Sequence, residues 1–297
     1  MQVQANGITI EVEDHGKKTD PVILLIMGFS AQLTTWPEEF VQALVDGGFR
    51  VVRFDNRDVG LSHKFDGVPV KNPFWQMIVK RFLRGWKMAP YDLEAMAADS
   101  IGVLDALGIE KAHVIGASMG GMISQILAAK YPDRLTSLTA VMTSTNNPKL
   151  PRAKAEVQKV LFGMARSKAK TPEEQLEVAL SFVMAIQSPT EGRSREETTA
   201  NILASAARST YPEGPKRQMA AIIESGDLRR WTKKITAPTM VVHGQQDPLV
   251  LLACGKDVAA NIEGSRLEII DGMGHDFPPA KIVPVANLII DHCKQAA

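Results

Sequence analysis

The chain has 297 residues, with 34 Lys and Arg against 33 Asp and Glu, a formal net charge of +1 at pH 7. That balance carries neither the basic footprint of a nucleic-acid binder nor an acidic tail, and 45% hydrophobic with 23% charged residues is the composition of a folded globular protein. The two cysteines, Cys254 and Cys293, exclude a disulfide scaffold and lack any zinc-ligand spacing, so both read as free thiols in a reducing compartment.

No basic segment followed by an apolar one opens the chain, so no secretory signal is read and the expected location is the cytoplasm. Val3, Ile8, Ile10 and Val12 alternate with polar residues around Asn6-Gly7, which predicts an antiparallel hairpin at a sheet edge. The apolar run 22–27 is far shorter than the roughly 18 to 20 residues of a membrane span and reads as a buried strand. Similar runs at 51–54, 113–117, 138–142, 239–243 and 267–270 predict strands covered on both faces.

Between them, Leu93, Met96, Ala97, Ile101, Leu104 and Leu107 recur at helical spacing and Gly108 stops that helix; a second helix, Met119–Lys130, ends at Tyr131-Pro132. Alternating strands and helices imply an α/β architecture, an eight-stranded, mostly parallel sheet flanked by helices. The stretch 71–87 sets Phe74, Trp75, Ile78, Phe82, Leu83 and Trp86 at helical spacing among Lys71, Lys80, Arg81, Arg84 and Lys87. It reads as a lid helix with a solvated basic face, in preference to contact with an anionic membrane.

The alternation breaks at 143–231, where no strand-like run occurs and Thr171-Pro172-Glu173-Glu174 has the form of a capping box. This segment is expected to be an all-helical cap inserted into a core made of 1–142 and 232–297. Its Phe162, Met164, Phe182, Met184 and Met219 suit an adaptable apolar pocket, or equally the plain interior of the helices.

The sharpest chemical signal is Gly116-Ala117-Ser118-Met119-Gly120, a G-x-S-x-G run between a predicted strand and a predicted helix. Small residues at Gly116 and Gly120 suit a tight strand-to-helix elbow that holds Ser118 exposed and strained. A dinucleotide loop is disfavoured, because G-x-G-x-x-G is absent and Asp133 follows a helix-ending turn instead of a strand.

A serine hydroxyl needs a base and an orienting acid. His275, in the glycine-rich loop after the last strand, and Asp247, in the loop after 239–243, supply them in the order Ser, Asp, His. Of the other histidines, His113 and His243 read as core residues, and His15, His63 and His292 as surface ones. Asp271 and Asp276 flank His275 too closely to orient its ring and are expected to cap the loop or face water. The oxyanion hole is expected from the backbone N–H groups of Phe29 and Met119, with Gly28 allowing close approach. No H-E-x-x-H or Cys/His cluster competes, so neither metal nor cofactor is expected.

Together with Asp55-Asn56-Arg57-Asp58-Val59-Gly60-Leu61-Ser62, these motifs resemble the α/β-hydrolase fold over essentially the whole chain. Leu24-Leu25-Ile26-Met27-Gly28, Trp36-Pro37-Glu38-Glu39-Phe40 and Gly272-Met273-Gly274-His275 are similar to carboxylesterases of the aclacinomycin methylesterase-like group. Met27 stands where many members have histidine, which changes the polarity of the pocket floor and leaves the backbone donor in place. The resemblance implies a serine carboxylesterase acting on a small-molecule ester through an acyl-enzyme. Lactone, thioester or C–C bond hydrolysis would use the same residues, and a ligand-binding receptor with little turnover is the reading from another class.

Overall fold

The computed structural model describes residues 1–70, Gln76 and residues 88–296. Apart from Gln76, the predicted amphipathic stretch 71–87 lies outside the described residues. Eight strands form one sheet in the order β1-β2-β4-β3-β5-β6-β7-β8: β1 (Gln2–Ala5), β2 (Ile8–His15), β3 (Val22–Ile26), β4 (Arg50–Phe54), β5 (Ala112–Ala117), β6 (Leu135–Val141), β7 (Thr239–Gly244) and β8 (Arg266–Ile270). β2 is antiparallel to both β1 and β4, and every pairing from β4 to β8 is parallel. The predicted hairpin forms as expected: Asn6 and Gly7 take φ of 51° and 78°, and Ala5 pairs with Ile8.

β3 lies between β4 and β5, so the chain leaves β3 to one side and returns on the other. The crevice beyond the carboxyl ends of β3 and β5 is therefore the switch point of the sheet, where ligands bind in open α/β folds. Ser118 follows β5 and Phe29 follows β3, so the two expected halves of the chemistry open onto the same crevice.

Successive residues of the central strands alternate between two cores. Leu24, Ile26, Val114 and Val241 face one; Ile23, Leu25, Ile115, Met240 and Val242 face the other. Helices α2 (Leu93–Ala106) and α3 (Met119–Lys130) cover the first face, while α1 (Glu38–Asp46) and α10 (Ile282–Ala296) cover the second. α2 begins where Asp92 accepts from the Ala95 N–H at 2.9 Å, and it ends before Gly108, whose φ is 66°. β8 departs from the expectation of two covered faces: it closes the ladder as an edge strand, and Ile269 is 43% exposed.

Between β6 and β7, five helices and no strand occur among the described residues: α4 (Ala155–Arg166), α5 (Pro172–Ile186), α6 (Arg195–Arg208), α7 (Gly214–Ser225) and α8 (Arg229–Thr232). α5 starts with the predicted Thr171/Glu174 capping box, and Ser194/Glu197 make a second one at α6. The apolar residues singled out in this segment differ in their surroundings. Phe162 and Met219 point to solvent, with the Arg166 guanidinium 4.0 Å above the Phe162 ring, whereas Met164 lines a cavity of about 290 Å³ between α4 and α5. α9 (Leu252–Ala260) then links β7 to β8.

His292 corrects its surface reading. It lies on the buried side of α10 with Val285, Ile289 and Cys293, and its Nε2 is 3.2 Å from the Leu138 carbonyl oxygen. His113 sits nearby with Nδ1 2.9 Å from Ser137 Oγ and its ring edge-on to Phe49. Both cysteines are free and buried, and burial pushes the Cys293 thiol up to about 12, so it stays protonated and unreactive.

Burial lowers the His113 imidazole from 6.5 to about 4, helped by the neighbouring His292, which burial also lowers. The unfolded chain therefore takes up a proton near pH 6.5 that the native state refuses until about pH 4. Stability is full above that window and falls as the pH drops through it, by about 3 kcal/mol for His113 alone. Urea unfolding at pH 7.5 and pH 4.5 should show a smaller acid loss for His113→Gln than for the wild type. Equal losses in the two proteins would count against this origin.

Candidate active site

Ser118 joins β5 to α3 with φ 54° and ψ −118°, a left-handed backbone that a non-glycine residue holds only when its surroundings impose it. Those surroundings are visible at the flanking glycines. A Cβ on Gly116 would lie 2.3 Å from the Gly120 carbonyl oxygen, and one on Gly120 would lie 2.0 Å from the Ile26 carbonyl oxygen. The elbow is thus pressed against its own helix and against β3. The Ser118 N–H donates to the Val141 oxygen at 2.9 Å, and Thr143 Oγ1 donates to the Ser118 oxygen at 2.6 Å.

His275 Nε2 lies 3.0 Å from Ser118 Oγ, and His275 Nδ1 lies 2.7 Å from Asp247 Oδ2. Residues 157 and 28 positions apart in the chain thus form one continuous hydrogen-bonded line. The Asp247 side chain is fully buried and His275 is 7% exposed, while Ser118 is half-buried at the rim. Asp247 Oδ1 accepts from the N–H groups of Leu249 and Val250 at 2.9 and 2.8 Å, which fixes the carboxylate and leaves Oδ2 for the imidazole. His243 Nε2 is 3.6 Å from the same Oδ2 but donates to the Val250 oxygen at 2.7 Å, and burial lowers its pKa, so it packs beside the acid as a neutral ring.

On the opposite side of Ser118, Gly28 brings the main chain so close that a Cβ there would lie 3.1 Å from Ser118 Cβ and 3.7 Å from its Oγ. The adjoining Phe29 N–H has no hydrogen-bond partner among the described residues. Met119 opens α3, where an N–H has no intrahelical acceptor. Neither N–H has an acceptor among the described residues, and the start of α3 beside Ser118 carries the positive partial charge of a helix N-terminus.

Several residues for which the sequence suggested no such role hold these loops in place. Asn56 Nδ2 donates to the Met27 oxygen at 2.9 Å, and Asp55 Oδ1 accepts from Leu33 N–H at 2.7 Å. Gln218 of α7 accepts from Ser30 N–H at 2.8 Å and donates to the Arg57 oxygen at 2.9 Å. Ser30 itself has φ 58°, so this amide secures a strained turn next to Phe29. Asp271 is exposed and accepts from Gln246 Nε2 of the neighbouring loop at 2.8 Å, whereas Asp276 accepts from the N–H and Oγ of Ser188. Asn56 and Asp55 lie in the quoted 55–62 motif, but Gln218 and Ser188 carry no local signal, because their partners lie 188 and 88 positions away.

Comparison with known proteins places this geometry in context. Rhodomycin D methylesterase DnrP of Streptomyces peucetius is 28% identical over 97% of this chain and 96% of its own length. 3-Oxoadipate enol-lactonase 2 of Acinetobacter baylyi is 24% identical over 90% of this chain and 86% of its own. A thermophilic esterase from Thermogutta terrifontis has a TM-score of 0.74 at 24% identity, covering 100% of this chain and 98% of that one. The enol-lactonase from Burkholderia xenovorans LB400 gives 0.75 at 23%, covering 99% and 100%. The alpha/beta hydrolase fold family matches residues 21–278, and the chain belongs to that family.

Proposed function

We propose that the protein is a serine carboxylesterase whose nucleophile, base and acid are Ser118, His275 and Asp247. The observation that carries this reading is the unbroken line from Asp247 Oδ2 through His275 to Ser118 Oγ, with contacts of 2.7 and 3.0 Å. As Ser118 Oγ attacks the ester carbonyl, His275 Nε2 takes its proton. The negative oxygen that forms is held by the N–H groups of Phe29 and Met119. Collapse expels the alcohol, which receives the proton from His275, and leaves Ser118 acylated. Water attacks the acyl group along the same path, releasing the acid and restoring the hydroxyl.

Residues 143–231 act as a cap over a core of 1–142 and 232–297, and the substrate is a small-molecule ester bound between them. The methylesterase relatives support an ester with a small alcohol leaving group. Lactone hydrolysis is the second reading, because the relatives include enol-lactonases and a lactone is an ester whose two products stay joined. The test is a series of p-nitrophenyl esters from acetate upward beside simple methyl esters and lactones. Turnover that ranks methyl esters above lactones supports the first reading, and the reverse order selects the second. A folded protein that turns over none of them removes the ester and lactone readings and leaves thioester or C–C bond hydrolysis, or a binding role.

Asp247→Asn is expected to lower kcat by about 10⁴-fold, because an amide in place of the carboxylate favours the wrong imidazole tautomer. A loss below tenfold, with the protein folded, would deny Asp247 its role.

A further inference from the structure

We propose that Ser188, just beyond the end of α5, is a positioning residue that sets His275 against Ser118 and Asp247. This rests on the assignment of His275 as the base. Three consecutive residues of the histidine loop are each tied to the same short corner of the helical segment. Gly274 N–H donates to Ser188 Oγ at 2.8 Å, His275 N–H donates to the Ile186 oxygen at 2.9 Å, and Asp276 Oδ1 accepts from Ser188 N–H and Oγ at 2.8 and 2.6 Å.

The fit around this corner is close. A Cβ on Gly274 would lie 2.6 Å from Ser188 N, and one on Gly192 would lie 2.6 Å from the Ser188 oxygen. Ser188 is 2% exposed, so water does not replace its hydroxyl. One side chain thus serves two loop residues, accepting from position 274 and donating to position 276, and no apolar residue of similar size can do both.

The connection to chemistry is geometric. Asp247 is fixed by two backbone donors and fixes only the Nδ1 edge of the imidazole. Where the ring's own backbone sits is decided by the bonds at 274–276. Asp276 also lies next to His275 in the chain, and its carboxylate is a rival acceptor for Nδ1–H. The two Ser188 donors hold that carboxylate by its Oδ1. Freed of the hydroxyl, the loop gains slack and Asp276 gains the freedom to compete, and misplacement of a reacting group by about 1 Å is enough to cost roughly 10²-fold.

The experiment compares wild type, Ser188→Ala, Ser188→Thr and Ser118→Ala on p-nitrophenyl acetate, with active sites counted by a fluorophosphonate burst. Ser188→Ala is expected to lose about 10- to 100-fold in kcat with KM within threefold of wild type. Phosphonylation of Ser118 should slow by a similar factor, and Ser188→Thr, which keeps the hydroxyl, should restore most of the rate. A purely structural role would lower the melting temperature and leave kcat per counted site within threefold of wild type, and that result overturns the proposal. If Ser188→Ala does not fold, Ser188→Cys carries the test, since its thiol fills the site of the hydroxyl and weakens both bonds. At least a fivefold loss in kcat is expected there, and an unchanged kcat overturns the proposal. Activity retained by Ser118→Ala withdraws the Ser118 mechanism itself, whereas an inactive Ser118→Ala beside a normal Ser188→Ala withdraws only the positioning role.

Discussion

Ser118→Ala is expected to lower ester hydrolysis by about 10⁶-fold while leaving the protein folded, since removing the nucleophile of such a triad costs nearly as much as removing all of it. The fold should tolerate the change because the side chain's hydrogen bond runs to His275, while the bends at 116–120 are imposed by backbone contacts. Intact mass after treatment with a fluorophosphonate gives the second readout. The wild type should gain one phosphonyl group and the variant none, with unchanged circular dichroism. Hydrolysis at the wild-type rate by a folded Ser118→Ala protein would end the covalent mechanism.

Arg217→Met should destabilise the protein by about 3–5 kcal/mol, the usual result of removing one partner of a buried ion pair. Asp58 is fully buried and accepts from Arg217 Nε and Nη2 at 2.9 and 3.0 Å, from Tyr91 OH at 2.6 Å and from Phe65 N–H at 2.9 Å. Burial, with the Asp58 charge beside it, raises the Tyr91 phenol, so it stays protonated and donates. Without Arg217 the carboxylate keeps two neutral donors and loses its bidentate cationic partner. Asp58→Asn combined with Arg217→Met should recover part of the loss, because the stranded charge goes with its partner. Urea denaturation of the single and double variants measures this directly. A single variant within 1 kcal/mol of wild type would mean that the pair adds nothing net.

The central strands were legible because they are covered on both faces. Runs such as 22–27 and 113–117 have no polar alternation to be mistaken for anything else, and the glycine stops at 108 and the proline at 132 mark their helices clearly. β8 and His292 misled for the same reason. Exposure at a sheet edge, or burial near the end of a last helix, depends on what packs there, and the local pattern does not record it. That Ser118, Asp247 and His275 would meet was also legible, because each sits in a loop that follows a strand on the same rim of the sheet. The residues that hold those loops were not. Gln218 and Ser188 are ordinary polar residues in a helical segment, and their meaning arises only from partners brought close by the sheet order.

The polar ties that run from the helical segment to residues 30 and 274–276 bear on how such proteins diversify. A segment that merely covered a cleft would be an interchangeable module, and substrate range could be altered by grafting one from a relative. Here the segment also carries the fasteners of the reactive loops. A transplanted segment would have to bring its own counterparts of Ser188 and Gln218 in register, or the chimaera would gain a new cleft and lose the alignment of Ser118 with His275.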